Sequence, residues 1–166
     1  MAHPIIEFYL EQRKTPEGFD LNDLLNLPSA IIGDGYFYIP WLFPVDTLSK
    51  WNKKLPHFTA EELDFFKNNA EIQIKFLLAV EKILFYFGIY LKDNTWIVKD
   101  DIQSRPYWLR NIGHESKKIS RIIRSLHYCG QPELAKNLQQ LAIKLGEEKG
   151  IIQENTLEIW ANLLND

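Results

Sequence analysis

The chain is short of cysteine, of unbroken apolar runs and of charge of one sign, and each shortage removes a class of protein. A lone cysteine, Cys129, excludes an internal disulfide framework and a cysteine-based zinc cluster, and it fits a reducing compartment. The greasiest stretch, residues 72–91, is interrupted by Gln73, Lys75, Glu81 and Lys82. A spanning helix wants about 20 apolar residues with few or no charges, so no transmembrane segment is expected. The N-terminal stretch carries Glu7 and lacks a basic lead with a small-residue cleavage site, so it reads as a first helix and not as a secretory signal. The expected location is cytoplasmic. With 19 Lys and Arg against 22 Asp and Glu, the formal net charge is −3, and any polyanion binding has to come from a local patch.

Catalytic and metal-binding patterns are equally scarce. The four histidines, His3, His57, His114 and His127, show no i, i+3 or i, i+4 pairing and no HExxH spacing, so no metal is predicted. Cys129 lies near His127 at a helix end and reads as a half-buried structural thiol, because a reactive one needs an accessible, electropositive setting. Gly33-Asp34-Gly35 lacks the preceding strand and following Lys-Ser or Lys-Thr of a phosphate loop, and reads as a turn. The acidic pairs Glu61-Glu62, Asp100-Asp101 and Glu147-Glu148 are adjacent residues, which diverge by about 100° on a helix. They read as solvated charges or helix starts. No catalytic residue and no cofactor are expected, and the chain is read as a non-enzyme.

What the sequence does have is apolar content, 46% of 166 residues, enough for one domain with its own core. Its pattern is helical. Pro4 suits the first turn of a helix over residues 4–10, and Asp20 caps a second over 21–27, with Phe19 and Leu24 as its hydrophobic staple. Residues 29–35 read as turns. Thr59 with Glu62 forms a capping box and Phe58 with Leu63 a staple, which starts a helix running to about Asn68. After Asn69 as a second cap, the run 71–90 is apolar on most sides and is the expected central helix of the core. Lys92-Asp93-Asn94-Thr95 is a turn, with a small hairpin near 89–99. Ile119, Ile122, Ile123 and Leu126 mark an amphipathic helix over 115–128 that ends at Gly130. A further helix follows Pro132, with Leu134, Leu138, Leu141, Ala142 and Leu145 on one face, and the last follows Asn155, burying Leu157, Trp160, Ala161 and Leu164. The expected fold is all-α: a single-domain bundle, residues 1–166, of about six or seven helices.

Two segments carry candidate binding residues. Tyr36 to Pro44 is the most aromatic stretch, and its two prolines argue against a regular helix or central strand there. It is expected to fill the core as a wedge, with Tyr36 and Tyr38 at the rim. A loop with at most one helical turn, around 48–51, should follow. Between Arg105 and Arg124, six cations face one acid, Glu115. On the helix, Lys117, Arg121, Arg124 and Tyr128 fall on one stripe opposite the isoleucines, with Lys118 beside it and His114 at the start. That stripe suits an acidic peptide, a phosphate or a nucleic-acid backbone. It equally suits a plain solvated face that pairs with Asp100, Asp101 or Glu115.

Tyr38-Ile39-Pro40-Trp41-Leu42-Phe43-Pro44 resembles the Tyr-Ile-Gln-Trp-Leu-Phe-Pro signature of the opioid growth factor receptor conserved region. Thr59 to Leu91 is similar to that family's paired helices. His114 to Leu126, ending in Ile119-Ser120-Arg121-Ile122-Ile123-Arg124-Ser125-Leu126, resembles its Arg-Ile-Thr-Arg-Ile-Leu-Arg-Ser-Leu helix, and the resemblance covers about residues 5–126. The blocks stand in the family order, and the chain is identified as a compact member, as in a bacterial relative. Departures are Tyr36 where the family has His, Pro40 for Gln, Lys118 for Arg and Ser120 for Thr. The resemblance implies a helical domain and, from vertebrate members reported to bind an enkephalin peptide, a peptide or protein partner. The expected contacts are His114, Lys117, Lys118, Arg121, Arg124, Tyr36 and Tyr38, with phosphate or nucleic-acid binding through the helix over 114–128 as one less favoured alternative and an enzyme with a non-obvious pocket as another.

Overall fold

Helix starts in this chain are set by side chains that bond the open N–H groups of the first turn. The computed structural model describes residues 3–46, 57–99, 115–149 and 154–164. In α1 (Pro4–Tyr9), His3 Nδ1 accepts the Ile5 N–H at 3.1 Å, and Pro4 stands where its missing donor is harmless. Asp20 opens α2 (Leu21–Leu25) through a full capping box with Asp23, with bonds of 2.8 and 2.9 Å. The reciprocal partner escapes sequence reading because Glu or Gln is usual at that position.

Two expectations about the following segment are corrected. Residues 29–34 are a helix, α3 (Ser29–Asp34), because the Ile31 and Ile32 N–H groups both close on the Pro28 carbonyl. It stops at Gly35, where an added Cβ would lie 2.7 Å from the Ile31 carbonyl oxygen. The aromatic wedge also contains a helical turn, α4 (Ile39–Leu42). Pro40 sits in its first turn, where no donor is needed, so the proline there is compatible with a helix.

The capping box of Thr59 and Glu62 forms as expected, at 3.1 and 2.8 Å, and opens α5 (Ala60–Asn68). Asn69 Oδ1 then accepts the Ile72 N–H at 3.0 Å near the start of α6 (Ala70–Tyr86). That helix ends before Tyr90, since Gly88 turns the chain at φ +78. Residues beyond it form β1 (Ile89–Lys92), antiparallel to β2 (Thr95–Val98) from Ile89↔Val98 to Lys92↔Thr95. Asp93 and Asn94 both take positive φ, the two-residue turn whose twist fits a hairpin. The remaining helices are α7 (Glu115–Tyr128), α8 (Pro132–Lys149) and α9 (Glu154–Asn162), with Gly130 at φ +103 after α7. The chain is thus mainly helical with one small hairpin. Among the described residues, no helix is long and apolar enough to cross a membrane.

Contacts divide the chain into two compact units, Met1–Ile83 and Leu84–Asp166, with α6 running from the first into the second. In the first, the rings of Tyr9, Phe66 and Phe76 meet edge to face, and Trp41 lies 5.3 Å from Phe8. Such pairs contribute about 0.5–1.5 kcal/mol each beyond burial. The wedge from Tyr38 to Val45 is buried, as expected of a core element. Two hydroxyls tie it down: Tyr9 donates to the Leu42 carbonyl and Tyr38 to the Ile32 carbonyl, both at 2.6 Å. In α6, Ile72, Phe76, Ala79, Val80 and Ile83 are buried, but Ile74 and Phe85 are 69% and 56% exposed. The helix is thus buried on most sides, as expected, but its one open side, through Glu71, Ile74, Leu78, Lys82 and Phe85, is partly apolar where a polar stripe was expected. Apolar composition alone does not specify burial. Lys99 Nζ covers the Phe85 ring at 3.4 Å, a cation–π contact.

In the second unit the hairpin is fastened to α8. The Trp96 N–H donates to Asn137 Oδ1 at 2.7 Å, and its indole N–H donates to the Leu134 carbonyl at 3.1 Å. Ile119, Ile122, Ile123 and Leu126 of α7 are fully buried, as are Ala135, Leu138 and Ala142 of α8. In α9 and just after it only part of the expected burial is found: Trp160 is buried, Leu157 and, beyond the helix, Leu164 are half-buried, and Ala161 is exposed. The expected helical turn around 48–51, and His114, lie outside the described residues.

Candidate binding site

Helix α7 carries the cations singled out in the sequence, and the structure distributes them differently from the expected stripe. Lys117 is exposed, and Arg124, His127 and Tyr128 are half-buried. Lys118 and Arg121 are buried, at 2% and 7% exposure. The physical reason lies in the helical wheel. Lys118, Arg121, Ser125 and Cys129 share one sector beside the isoleucine face, and Ser125 Oγ and Cys129 Sγ stand 3.8 Å apart within it. That sector is covered along with the isoleucines, so α7 is buried over much more than its apolar stripe. Neither an open cationic stripe nor a fully solvated face describes it.

Burial pulls the Arg121 guanidinium down to about 10, with the Cys129 sulfur acting in the opposite sense. The group stays charged at neutral pH. Cys129 itself is fully buried, deeper than the half-buried thiol expected. His3 is a helix cap whose ring meets Phe58 edge-on, 4.5 Å between centroids. Among the described residues no group of three or more His, Cys, Asp or Glu is placed to hold a metal ion.

Tyr36 and Tyr38 belong to the first unit, whereas the cations belong to the second. Tyr36 is half-buried, but Tyr38 is fully buried with its hydroxyl on the Ile32 carbonyl, which corrects its placement at the rim. It acts as a strut inside the wedge.

The polar side chains that do converge lie along the groove between α7 and α8, where α9 is seated. The indole N–H of buried Trp160 donates to Ser120 Oγ at 2.8 Å. Gln139 Nε2 of α8 donates to the Trp160 carbonyl at 2.8 Å and to the Ala161 carbonyl at 3.4 Å. Arg124 Nη1 donates to the Leu163 carbonyl at 2.8 Å. Those carbonyls lie at the C-terminal end of α9, where the i+4 N–H partners of a continuing helix are missing; the Trp160 carbonyl also takes the Leu163 N–H at 3.3 Å. A cation there also complements the negative end of the helix dipole. The half-buried face of α7 is thus a receptor for a helix end. Ser120 and Gln139 gave no sequence signal as site residues, because a lone serine or glutamine on a helix looks like ordinary surface.

The model of the opioid growth factor receptor conserved region matches residues 2–165, across both units. The chain belongs to that family. It is 31% identical to the mouse opioid growth factor receptor over 122 residues, covering 69% of this chain and 19% of that protein. The human receptor is 30% identical over 135 residues, covering 76% and 20%. A Xenopus tropicalis opioid growth factor receptor-like protein 1 is 29% identical over 176 residues, covering 97% and 33%. The chain therefore spans between a fifth and a third of the length of these relatives. No solved structure matches it. Within the family helix noted above, Ser120 stands for Thr and Lys118 for Arg, and both exchanges keep what the structure uses: a hydroxyl facing Trp160 and a buried cation.

Proposed function

We propose that this family member is a non-enzymatic binding module for a peptide or protein partner, received on the open face of α7. The observation that carries the reading is the crowding of Lys117, Lys118, Arg121 and Arg124 within little more than two helical turns of a chain with net charge −3, one of them already holding a peptide carbonyl at 2.8 Å. The names of its relatives, which are receptors, support it. Lys118 and Arg121 act from below the surface by fixing the helix and adding positive potential. Lys117 and Arg124 are the residues at which a partner makes contact.

The test is fluorescence anisotropy of the full chain with three labelled probes: an enkephalin peptide, a short acidic peptide and an oligonucleotide. Saturable binding of either peptide, weakened about tenfold or more by Lys117→Glu in a chain that stays folded by circular dichroism, is the expected result; that factor corresponds to about 1.4 kcal/mol. Binding of the oligonucleotide alone, falling steeply with salt, would replace the peptide reading by a nucleic-acid one. Binding of none of the three would overturn the reading.

A further inference from the structure

The open side of α6 departs from the usual rule that a surface helix turns polar residues outward. Ile74, Leu78 and Phe85 are exposed along it, in line with Glu71 and Lys82. Single exposed apolar residues are ordinary, whereas a row of them on one helix face marks a surface that meets a partner. Counted from Leu78, Ile74 and Lys82 stand four residues away on either side, and Glu71 and Phe85 seven. At about 100° per residue all five fall within a sector of about 80°. The row therefore has the same spacing read from either end. A surface that packs on a copy of itself about a two-fold axis has to be self-complementary in this way.

The charges of the row add a direction, because the acid stands before Leu78 and the base after it. With a rise of about 1.5 Å per residue, an antiparallel copy brings its Lys82 to within about 4.5 Å of Glu71 along the helix axis, less than one turn. The Glu71 side chain touches Lys75 at 3.3 Å and still keeps 61% of its surface exposed, so it can take a second cation. The lysine stem crosses the opposing Ile74 on its way and covers it. A parallel copy would instead set Glu71 against Glu71 and Lys82 against Lys82.

We propose that α6 pairs with α6 of a second copy of this chain, antiparallel, about a two-fold axis at Leu78. The inference goes beyond the binding reading, since it uses none of the cations of α7. The row is about 21 Å long on a helix about 10 Å across, which is small beside the about 800 Å² per partner of a standard interface. The pairing is therefore weak and rises with protein concentration.

Sedimentation velocity of the full chain, from low micromolar to near-millimolar concentration, tests it, and a reversible monomer–dimer equilibrium is the expected result. Leu78→Glu puts two carboxylates together on the axis and is expected to weaken the dimer at least tenfold. The fold should be unchanged by circular dichroism, because Leu78 is exposed. Lys82→Glu and Glu71→Lys, each checked for fold in the same way, are expected to weaken the dimer singly by setting like charges against each other. An equal mixture of these two single variants is expected to associate again, since each then offers what the other lacks. A native chain that stays monomeric throughout, a dimer that survives Leu78→Glu, or a mixture that fails to associate would overturn the proposal. No added ligand is involved, so a negative result with the peptide and oligonucleotide probes leaves this inference standing.

Discussion

Replacing Tyr38 by phenylalanine removes one oxygen atom and leaves the ring, its edge contact with Phe37 and the backbone unchanged. The hydroxyl is fully buried and donates to the Ile32 carbonyl at 2.6 Å, bridging the wedge to α3. A buried hydrogen bond is worth about 0.5–1.5 kcal/mol net. Tyr38→Phe is therefore expected to destabilise the first unit by about 0.5–1.5 kcal/mol. For a unit of this size, each kcal/mol lowers the midpoint by about 4–8 °C. Urea unfolding followed in parallel by tryptophan fluorescence and far-ultraviolet circular dichroism measures it, two probes being needed because two units need not unfold together. The slope with denaturant should stay constant while the midpoint falls. A loss below about 0.5 kcal/mol, the range of surface substitutions, would refute the strut and return the hydroxyl to solvent.

Trp41→Ala empties a site lined by Phe8 and should cost about 3–5 kcal/mol by the same unfolding measurement. Thr59→Ala removes the acceptor for the Glu62 N–H and should cost about 1 kcal/mol, largely recovered by Thr59→Ser. Lys75 bonds Glu11 and Glu71. Burial, the largest single influence, pulls its ammonium down, but the bonds and attraction of the two carboxylates together outweigh it and leave the group raised. A raised base stabilises the fold fully below its unfolded value of about 10.4 and loses that contribution as pH climbs through the folded value. The stability gap between the native chain and Lys75→Met, below about 1 kcal/mol for so accessible a pair, should hold steady through neutral pH and close only in strong alkali.

The elements legible in the sequence are those whose cause is local. Thr59 and Glu62 stand three apart and satisfy each other's backbone, and Asp93-Asn94 supplies positive φ between two strands, so neither needs a distant partner to be recognised. The elements that escaped were decided by context or by a rule applied too broadly. Pro40 looked like a helix breaker, yet a proline in the first turn breaks nothing, and α4 forms around it. The helix over 71–90 looked continuous because its apolar pattern runs on past Tyr86, and a single glycine, Gly88, takes the turn. Trp160 was legible as a buried residue. Its indole partner Ser120 was not, since the two are far apart in the chain and neither carries a charge or motif.

The cations of α7 show where a helical pattern stops being informative. Lys117 and Lys118 are adjacent, identical in chemistry and about 100° apart on the wheel, and one is exposed while the other is 2% exposed. The isoleucine stripe locates the centre of the buried arc, because apolar side chains gain by leaving water. It does not locate the edges of that arc. These are fixed by whatever packs on the flanking sectors. A lysine or arginine can be covered there when its stem lies on apolar neighbours and its charge is compensated. On one flank of α7 the cover is α9, which leaves Arg124 half-buried and engaged with a carbonyl; on the other, Lys118, Arg121, Ser125 and Cys129 go under together. A charge-reversal scan that counts all four cations as surface therefore confounds two quantities. At Lys117 it tests the proposed binding, whereas at Lys118 and Arg121 it reads folding, since a carboxylate placed there would put the wrong charge in a buried cationic sector. Only variants at Lys117, checked for fold, separate the two, since Arg124 also holds the Leu163 carbonyl at the end of α9.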